Sequence, residues 1–300
     1  MADQDRKTLF TLLATNPSTA ALKTGKVRSP LVDFNFADVK VSNTEFKPLV
    51  REHRYDLAEL AIVTYLQAYE KGISYVLLPA TVVGRNQHHT IFYNADRGAL
   101  DDLTGKRVGV RAYTQTTGAW VRGFLAEDYE VDIERVRWVT FEDPHVARYK
   151  DPEWVERAPQ GKTIKQMLID GELDAAILGD VAEEGPIKHL IPDHAEAGAA
   201  WATRHGGVPI NHLMVIRESI AEEQPEVVKA VYRLLKESRA AASAIYDSGE
   251  ANPLRYGVSN IRQSFDTIVD YALEQKLLTE RVSADDVFAK ALAIVGAAAE

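Results

Sequence analysis

The 300-residue sequence has no cysteine. Disulfides, thiolate-bound zinc, iron–sulfur clusters and thiol catalysis are therefore excluded. Positive charge is also short, with 35 Lys+Arg against 44 Asp+Glu and a formal net charge of −9. Such a balance argues against nucleic acid or an anionic membrane surface as partner, although local positive charge can still hold a small anion. No window approaches the roughly 18 apolar residues of a membrane span. The chain starts Met1-Ala2-Asp3-Gln4-Asp5-Arg6-Lys7, and its first apolar run, Leu9-Phe10-Thr11-Leu12-Leu13, is shorter than a secretory signal requires. A cytoplasmic location is the expectation. There is no G-x-G-x-x-G run, no P-loop and no G-x-S-x-G elbow, so nucleotide binding and serine hydrolysis lack support. Internal repeats and low-complexity linkers are absent too.

What is present suits a globular protein, with 46% hydrophobic and 26% charged residues. The length favours two domains with large cores. Thr8–Ala14 reads as a buried strand. Asn16-Pro17 sets an N-cap residue before one favoured at the first helical position, so a short helix runs to Lys23, with Gly25 as its stop. Asp38–Val41 is a short strand candidate. Leu60–Lys71 carries Ile62, Leu66 and Tyr69 at helical spacing before Gly72. Tyr75–Leu78 and Thr90–Asn94 read as strands.

A second block supplies strands at Lys106–Val110, Arg137–Thr140 and Asp174–Leu178. Helices at Ala119–Glu127 and Thr163–Asp170 separate them. The rhythm is βαβαβ, which predicts a mainly parallel sheet covered by helices. A third block starts with the strand Leu213–Ile216. Three helices follow: Glu226–Tyr246, with Val227, Val231, Leu234 and Leu235 on one face; a second near Ile261–Gln275; and a third from Ser283, where Ser283-Ala284-Asp285-Asp286 resembles a capping box. Asp143–Gly161, with three prolines, is the least regular stretch and reads as a surface excursion or a lid. The blocks imply two lobes around a cleft. Ligands in open α/β sheets sit at strand carboxyl ends beside helix N-termini, which selects the loops after Ala14, Leu57, Val110 and Leu178.

Those loops carry a resemblance. It begins with Asp56-Leu57-Ala58-Glu59-Leu60, Tyr65-Leu66, Leu78-Pro79-Ala80, Arg85, and His89 with Tyr93-Asn94. It continues through Leu103-Thr104-Gly105-Lys106-Arg107-Val108-Gly109-Val110, Tyr113, Thr116 and Trp120-Val121-Arg122-Gly123 to Gly207-Val208-Pro209-Ile210-Asn211-His212. In order and spacing this resembles the 4,5-dihydroxyphthalate decarboxylases, over roughly residues 8–220. The resemblance implies an α/β, two-lobed architecture of the type 2 periplasmic-binding-protein kind, with a ligand cleft between lobes and C-terminal helices. Lobe 1 would take residues 1–95 and 207–300, and lobe 2 residues 96–206. The chain departs from the family pattern in three places. His88 stands where an Arg is usual, Thr15-Asn16 where an Asp-Tyr pair is common, and Val139-Thr140-Phe141-Glu142 where a Gly pair tends to follow Trp138.

The implied activity is cofactor-independent loss of CO2 from a hydroxylated aromatic carboxylate. A ring hydroxyl para or ortho to the carboxylate pushes electron density onto the carbon that bears it. That carbon is protonated and CO2 leaves. Such a site needs an anion holder, a base near the phenol and an acid near the ring carbon. Arg85 and Arg111 are the cationic candidates, since a guanidinium holds a carboxylate in a planar fork. Thr116 and Thr117, opening a helix, and Asn16, after the first strand, are further substrate contacts. His89, His212 and Glu59 are the candidates for proton transfer, and His88 for substrate binding. On a strand His88 and His89 would face opposite ways, and the motif favours His89. His53, His145, His189, His194 and His205 have no pattern support. His88-His89 with Glu59 and His212 does not match a recognised metal motif, so no metal is expected. The expected partner is a small anionic aromatic substrate, with monomer and homodimer both open. The competing reading is a solute-binding protein that closes on an anionic aromatic ligand without chemistry. A third is a ligand-sensing or precursor-biosynthesis protein on the same fold.

Overall fold

Asn16 does what its place before Pro17 predicts. In the computed structural model, which describes residues 6–246 and 254–296, its side chain accepts hydrogen bonds from the Ser18 and Thr19 N–H groups. The Thr19 hydroxyl in turn accepts from the Asn16 backbone N–H. The helix it opens, α1 (Pro17–Lys23), follows β1 (Lys7–Leu12). Next come β2 (Val32–Phe36), α2 (Phe46–Glu52), β3 (Leu57–Ala61), α3 (Ile62–Glu70) and β4 (Tyr75–Gly84). The second block holds β5 (Ile91–Asn94), β6 (Arg107–Val110), α4 (Thr116–Tyr129), β7 (Arg137–Thr140), β8 (Val155–Arg157), α5 (Ile164–Asp170), β9 (Ala175–Ile177), β10 (Ile187–His189) and α6 (His194–Arg204). The third holds β11 (Ile210–Arg217), α7 (Glu218–Glu223), α8 (Pro225–Ala240), α9 (Ser243–Tyr246), α10 (Val258–Glu274) and α11 (Ala284–Val295).

Two sheets result, in the strand orders β2-β1-β3-β11-β4 and β10-β5-β9-β6-β7-β8. Each is mainly parallel with one reversed strand, and β9, β6, β7 and β8 pair in parallel as the βαβαβ rhythm predicts. β11 returns antiparallel between β3 and β4, and β5 runs antiparallel to β9 and β10. The chain changes sheet between Gly84 and Ile91, and again between His189 and Ile210. β5 lies in the second sheet, because its ladder partners are β9 and β10, so the first crossing precedes the expected boundary at residue 95. Asp38–Val41 is not a strand. The strand is Val32–Phe36, which pairs with β1 along five residues while the segment after it turns away. Leu60 lies within β3 rather than starting α3: the strand ends at Ala61 and runs directly into the helix. The helix read as Glu226–Tyr246 stops at Ala240, and Val227, Val231, Leu234 and Leu235 are all buried.

One of the hydrophobic clusters spans both halves. α4 belongs in sequence to the second block but packs on α3 and α10. Trp120 donates to the Ile210 carbonyl at 2.8 Å, and Trp201 to the Tyr271 hydroxyl at 3.2 Å. Gly123 permits this approach, since a Cβ there would lie 2.0 Å from the Tyr271 ring. Among the described residues no helix is long and apolar enough to cross a membrane.

Candidate active site

Between the sheets lies a cavity of about 1280 Å³. Ala61 and Thr64 reach it from the start of α3, and Gln115, Thr116 and Thr117 from the start of α4. Two helix N-termini therefore converge on one space. The first is held across the cavity, where the Val63 N–H donates to the Thr116 hydroxyl at 3.2 Å. The second has no side-chain cap from its N-cap residue Gln115, whose Oε1 is buried without a partner. Uncapped N–H groups at a helix start favour an anion. Arg111, at the end of β6, also lines the cavity and is 3.4 Å from Glu142.

His212 and Glu59 come together through strand register. Glu59 on β3 stands opposite Met214 on β11, two residues from His212, so the two side chains share a face as diagonal neighbours. The ladder between β11 and β4 shifts register on both sides of His212. Such irregularities re-aim side chains. His212 lines the cavity, and its Nδ1 is 3.5 Å from the Glu59 carboxylate, the long end of hydrogen-bonding range. Glu59 is fully buried and accepts from the Ala14 N–H at 3.0 Å. Burial pushes its carboxyl up, but His212, the Ser42 hydroxyl and the Ala14 N–H outweigh this and hold it below the ordinary carboxylate range. A buried carboxylate thus lies directly behind an imidazole at the cavity wall.

The other expected residues fall differently. Arg85 lines the cavity, but its guanidinium is in an ion pair with Asp180. His89, expected to move the proton, is outside the lining, its Nε2 at 2.6 Å from the same Asp180 carboxylate. Burial and the neighbouring charges of Arg85, His194 and His189 push His89 down to about 4. His88, expected to touch substrate, is buried against Phe124, with ring centroids 4.0 Å apart. Both of its ring nitrogens lack partners, and burial pushes it down to about 4. The pair sits on a 3₁₀ turn, His88–Thr90, not on a strand, so the expectation of opposite faces does not apply. Asn16 is outside the lining as well, its side chain committed to capping α1 and to the Val82 carbonyl at 3.3 Å. Among the described residues no group of three or more His, Asp or Glu is placed to hold a metal ion.

The sequence around His145 carries no motif. The residue is buried at the cavity, with Nδ1 2.8 Å from the Thr64 hydroxyl. Phe46 packs against it and against His212 alike. Both imidazoles meet the Phe46 ring edge to face, at centroid distances of 5.6 and 5.1 Å. Burial, with the positive charges of Arg111, Lys47 and Arg51, pushes His145 down to about 3. Its ring is therefore neutral near pH 7.

No family model matches the chain. It is 35% identical over 204 residues, 63% of its length, to a 4,5-dihydroxyphthalate decarboxylase of Comamonas testosteroni. It is 36% identical over 137 residues, 42% of its length, to one of Pseudomonas putida. The matched stretches span 62% and 53% of those two proteins, less than two thirds of either. The chain is similar in sequence to the 4,5-dihydroxyphthalate decarboxylases. Among solved structures, the alkanesulfonate-binding protein SsuA from Xanthomonas axonopodis pv. citri, bound to MOPS, superposes with a TM-score of 0.56. Identity is 13%, over 93% of this chain and 97% of that one. The aliphatic sulphonate binding protein SsuA of Escherichia coli gives 0.55 at 12% identity, over 92% of this chain and 90% of its own. The fold is that of the periplasmic binding proteins.

Proposed function

We propose that the protein is a carboxy-lyase that removes CO2 from a hydroxylated aromatic carboxylate of the 4,5-dihydroxyphthalate kind without a cofactor. The supporting observation is the juxtaposition, in one cavity, of an anion-favouring wall and a buried imidazole–carboxylate pair. The start of α4 and Arg111 offer N–H groups and positive charge to the substrate carboxylates. His212, with Nδ1 turned to Glu59, keeps Nε2 for the cavity. Protonated, it delivers its proton to the ring carbon that bears the departing carboxylate. The C–C bonding pair then returns to the ring and CO2 leaves. The ring hydroxyl supplies the electron density, so the substrate is its own electron source. Glu59 stabilises the imidazolium that exists before each transfer, as a carboxylate does behind a catalytic histidine. Arg85 and His89 act from the rim through Asp180 by fixing the loop after β9.

The sequence relatives are named for this reaction, whereas the structural neighbours are named for sulfonate binding. A receptor reading has one observation against it. A fully buried carboxylate behind the cavity wall repels an anionic ligand and serves no purpose in simple capture. The two readings separate when hydroxyphthalates and hydroxybenzoates are offered to the purified protein with CO2 and thermal shift followed together. Turnover supports the lyase. Stabilisation by a compound that releases no CO2 supports the receptor.

A further inference from the structure

His145 lies on the irregular stretch after β7, yet its contacts come from the other half of the molecule. Arg51, on α2, donates to the Pro144 carbonyl at 2.7 Å and to the His145 carbonyl at 2.8 Å. Thr64, on α3, holds the His145 ring through Nδ1 at 2.8 Å. Phe46, at the start of α2, meets its ring edge to face at 5.6 Å. Three side chains of the first block thus fix a residue of the second at the cavity wall. A surface histidine would not receive two backbone clamps and a ring partner from across a cleft. With Nδ1 engaged, Nε2 is the nitrogen left for the cavity.

We infer that His145 is the group that takes the phenolic proton, held in place across the two halves by the Arg51 clamp and Thr64. This rests on the lyase reading and adds the base that reading lacks. The two imidazoles both meet the Phe46 ring edge to face but lie in opposite surroundings. His212 is backed by a carboxylate, whereas His145 faces Arg111, Lys47, Arg51 and His212, none of them anionic. The positive charges that disfavour the His145 imidazolium favour the phenolate formed beside it, so the transfer is driven by stabilisation of the phenolate rather than by a strongly basic imidazole. The step balances. His145 Nε2 removes the hydroxyl proton, and the oxygen lone pair moves into the ring. The ring carbon takes a proton from His212, and the C–CO2⁻ bond breaks with its electron pair restoring the aromatic ring. His145 then returns its proton to the oxygen, and His212 is reprotonated from solvent.

The test uses His145→Gln, His145→Ala and Thr64→Val in the full chain. On a substrate that wild type turns over, both His145 variants should lower kcat by roughly 10²–10⁴-fold with a much smaller change in KM. Thr64→Val, which leaves the imidazole but frees it, should fall between. A second readout needs no turnover. Bound to wild type at neutral pH, a dihydroxybenzoate should show the long-wavelength absorbance of its phenolate, and bound to His145→Gln it should not. Wild-type kcat in His145→Gln, or a phenolate band that survives the substitution, would overturn the assignment. If wild type releases no CO2 from any hydroxyaromatic acid, the lyase reading fails, but the absorbance comparison still decides whether His145 takes the proton. Failure of every hydroxybenzoate to bind overturns both.

Discussion

Arg122 donates through Nε to the Gln275 side chain at 2.7 Å, joining α4 to the end of α10 in a region from which water is excluded. The same guanidinium donates to the Tyr113 carbonyl at 2.6 Å and lies 4.0 Å from the centre of the Tyr113 ring. Gln275 in turn donates to the Ala119 carbonyl at 2.9 Å. No carboxylate is in ion-pair contact with Arg122 among the described residues, and burial lowers its pKa. The group that fixes α4, and so aims its N-terminus at the cavity, is a dry cation held by neutral oxygens and aromatic faces.

Arg122→Ala should therefore destabilise the fold. It leaves the Tyr113 carbonyl and Gln275 Oε1 buried without a donor, at about 1–3 kcal/mol each. Urea unfolding monitored by tryptophan fluorescence reads this directly. An unchanged midpoint would mean that the network is not structural.

Glu59→Gln keeps the size of the side chain but removes the charge behind His212. Turnover should fall roughly 10²–10⁴-fold, with His212→Ala falling at least as far. KM should change little in Glu59→Gln, because the carboxylate does not line the cavity. Steady-state kinetics with parallel ligand titration separates the two effects. Full activity in either variant removes the pair from the chemistry.

Arg111 is the lining cation with the looser acidic partner, at 3.4 Å from Glu142. Arg111→Met should raise KM for a dicarboxylate substrate by roughly 10–100-fold, the equivalent of one hydrogen bond to a charged group. A monocarboxylate should be affected less. Equal KM values in variant and wild type would place the carboxylate elsewhere.

Acid stability should depend on Glu70, far from the cavity. It accepts from the Thr279 N–H at 2.6 Å and hydroxyl at 2.7 Å and is paired with Lys71 at 2.8 Å. Burial acts against ionisation, but these partners outweigh it and hold the carboxyl at about 2 rather than the ordinary 4.5. Because the folded value is the lower one, its contribution is fully present above about pH 4.5 and is lost as pH falls toward 2. Glu70→Gln should be less stable than wild type at pH 7, and the gap should close between pH 4.5 and pH 2. A gap that stays constant with pH would show that hydrogen bonding alone, not charge, is involved.

Local chemistry was what the sequence disclosed best. Asn16-Pro17, Thr163 and Ser283 start helices where they were read, because caps depend on a few adjacent residues. The closeness of Glu59 and His212 was not legible, since it arises from β11 entering antiparallel between β3 and β4. Nor was the burial of His88, which depends on Phe124 arriving from α4. His145 was invisible for the same reason: its partners, Arg51, Thr64 and Phe46, are distant in sequence and meet it only after the halves pack. Gly123 belongs to the motif Trp120-Val121-Arg122-Gly123, and the structure supplies the reason, a ring of α10 where a side chain would stand.

The central claim is tested most directly by incubating the purified protein with 4,5-dihydroxyphthalate in D2O and following CO2 and the aromatic product by NMR. Ring protonation with loss of one carboxylate predicts one CO2 per product molecule and one deuterium at the vacated ring carbon. Saturable binding of the unchanged compound, with no CO2 and no ring deuterium, would contradict the account and leave a binding protein in its place.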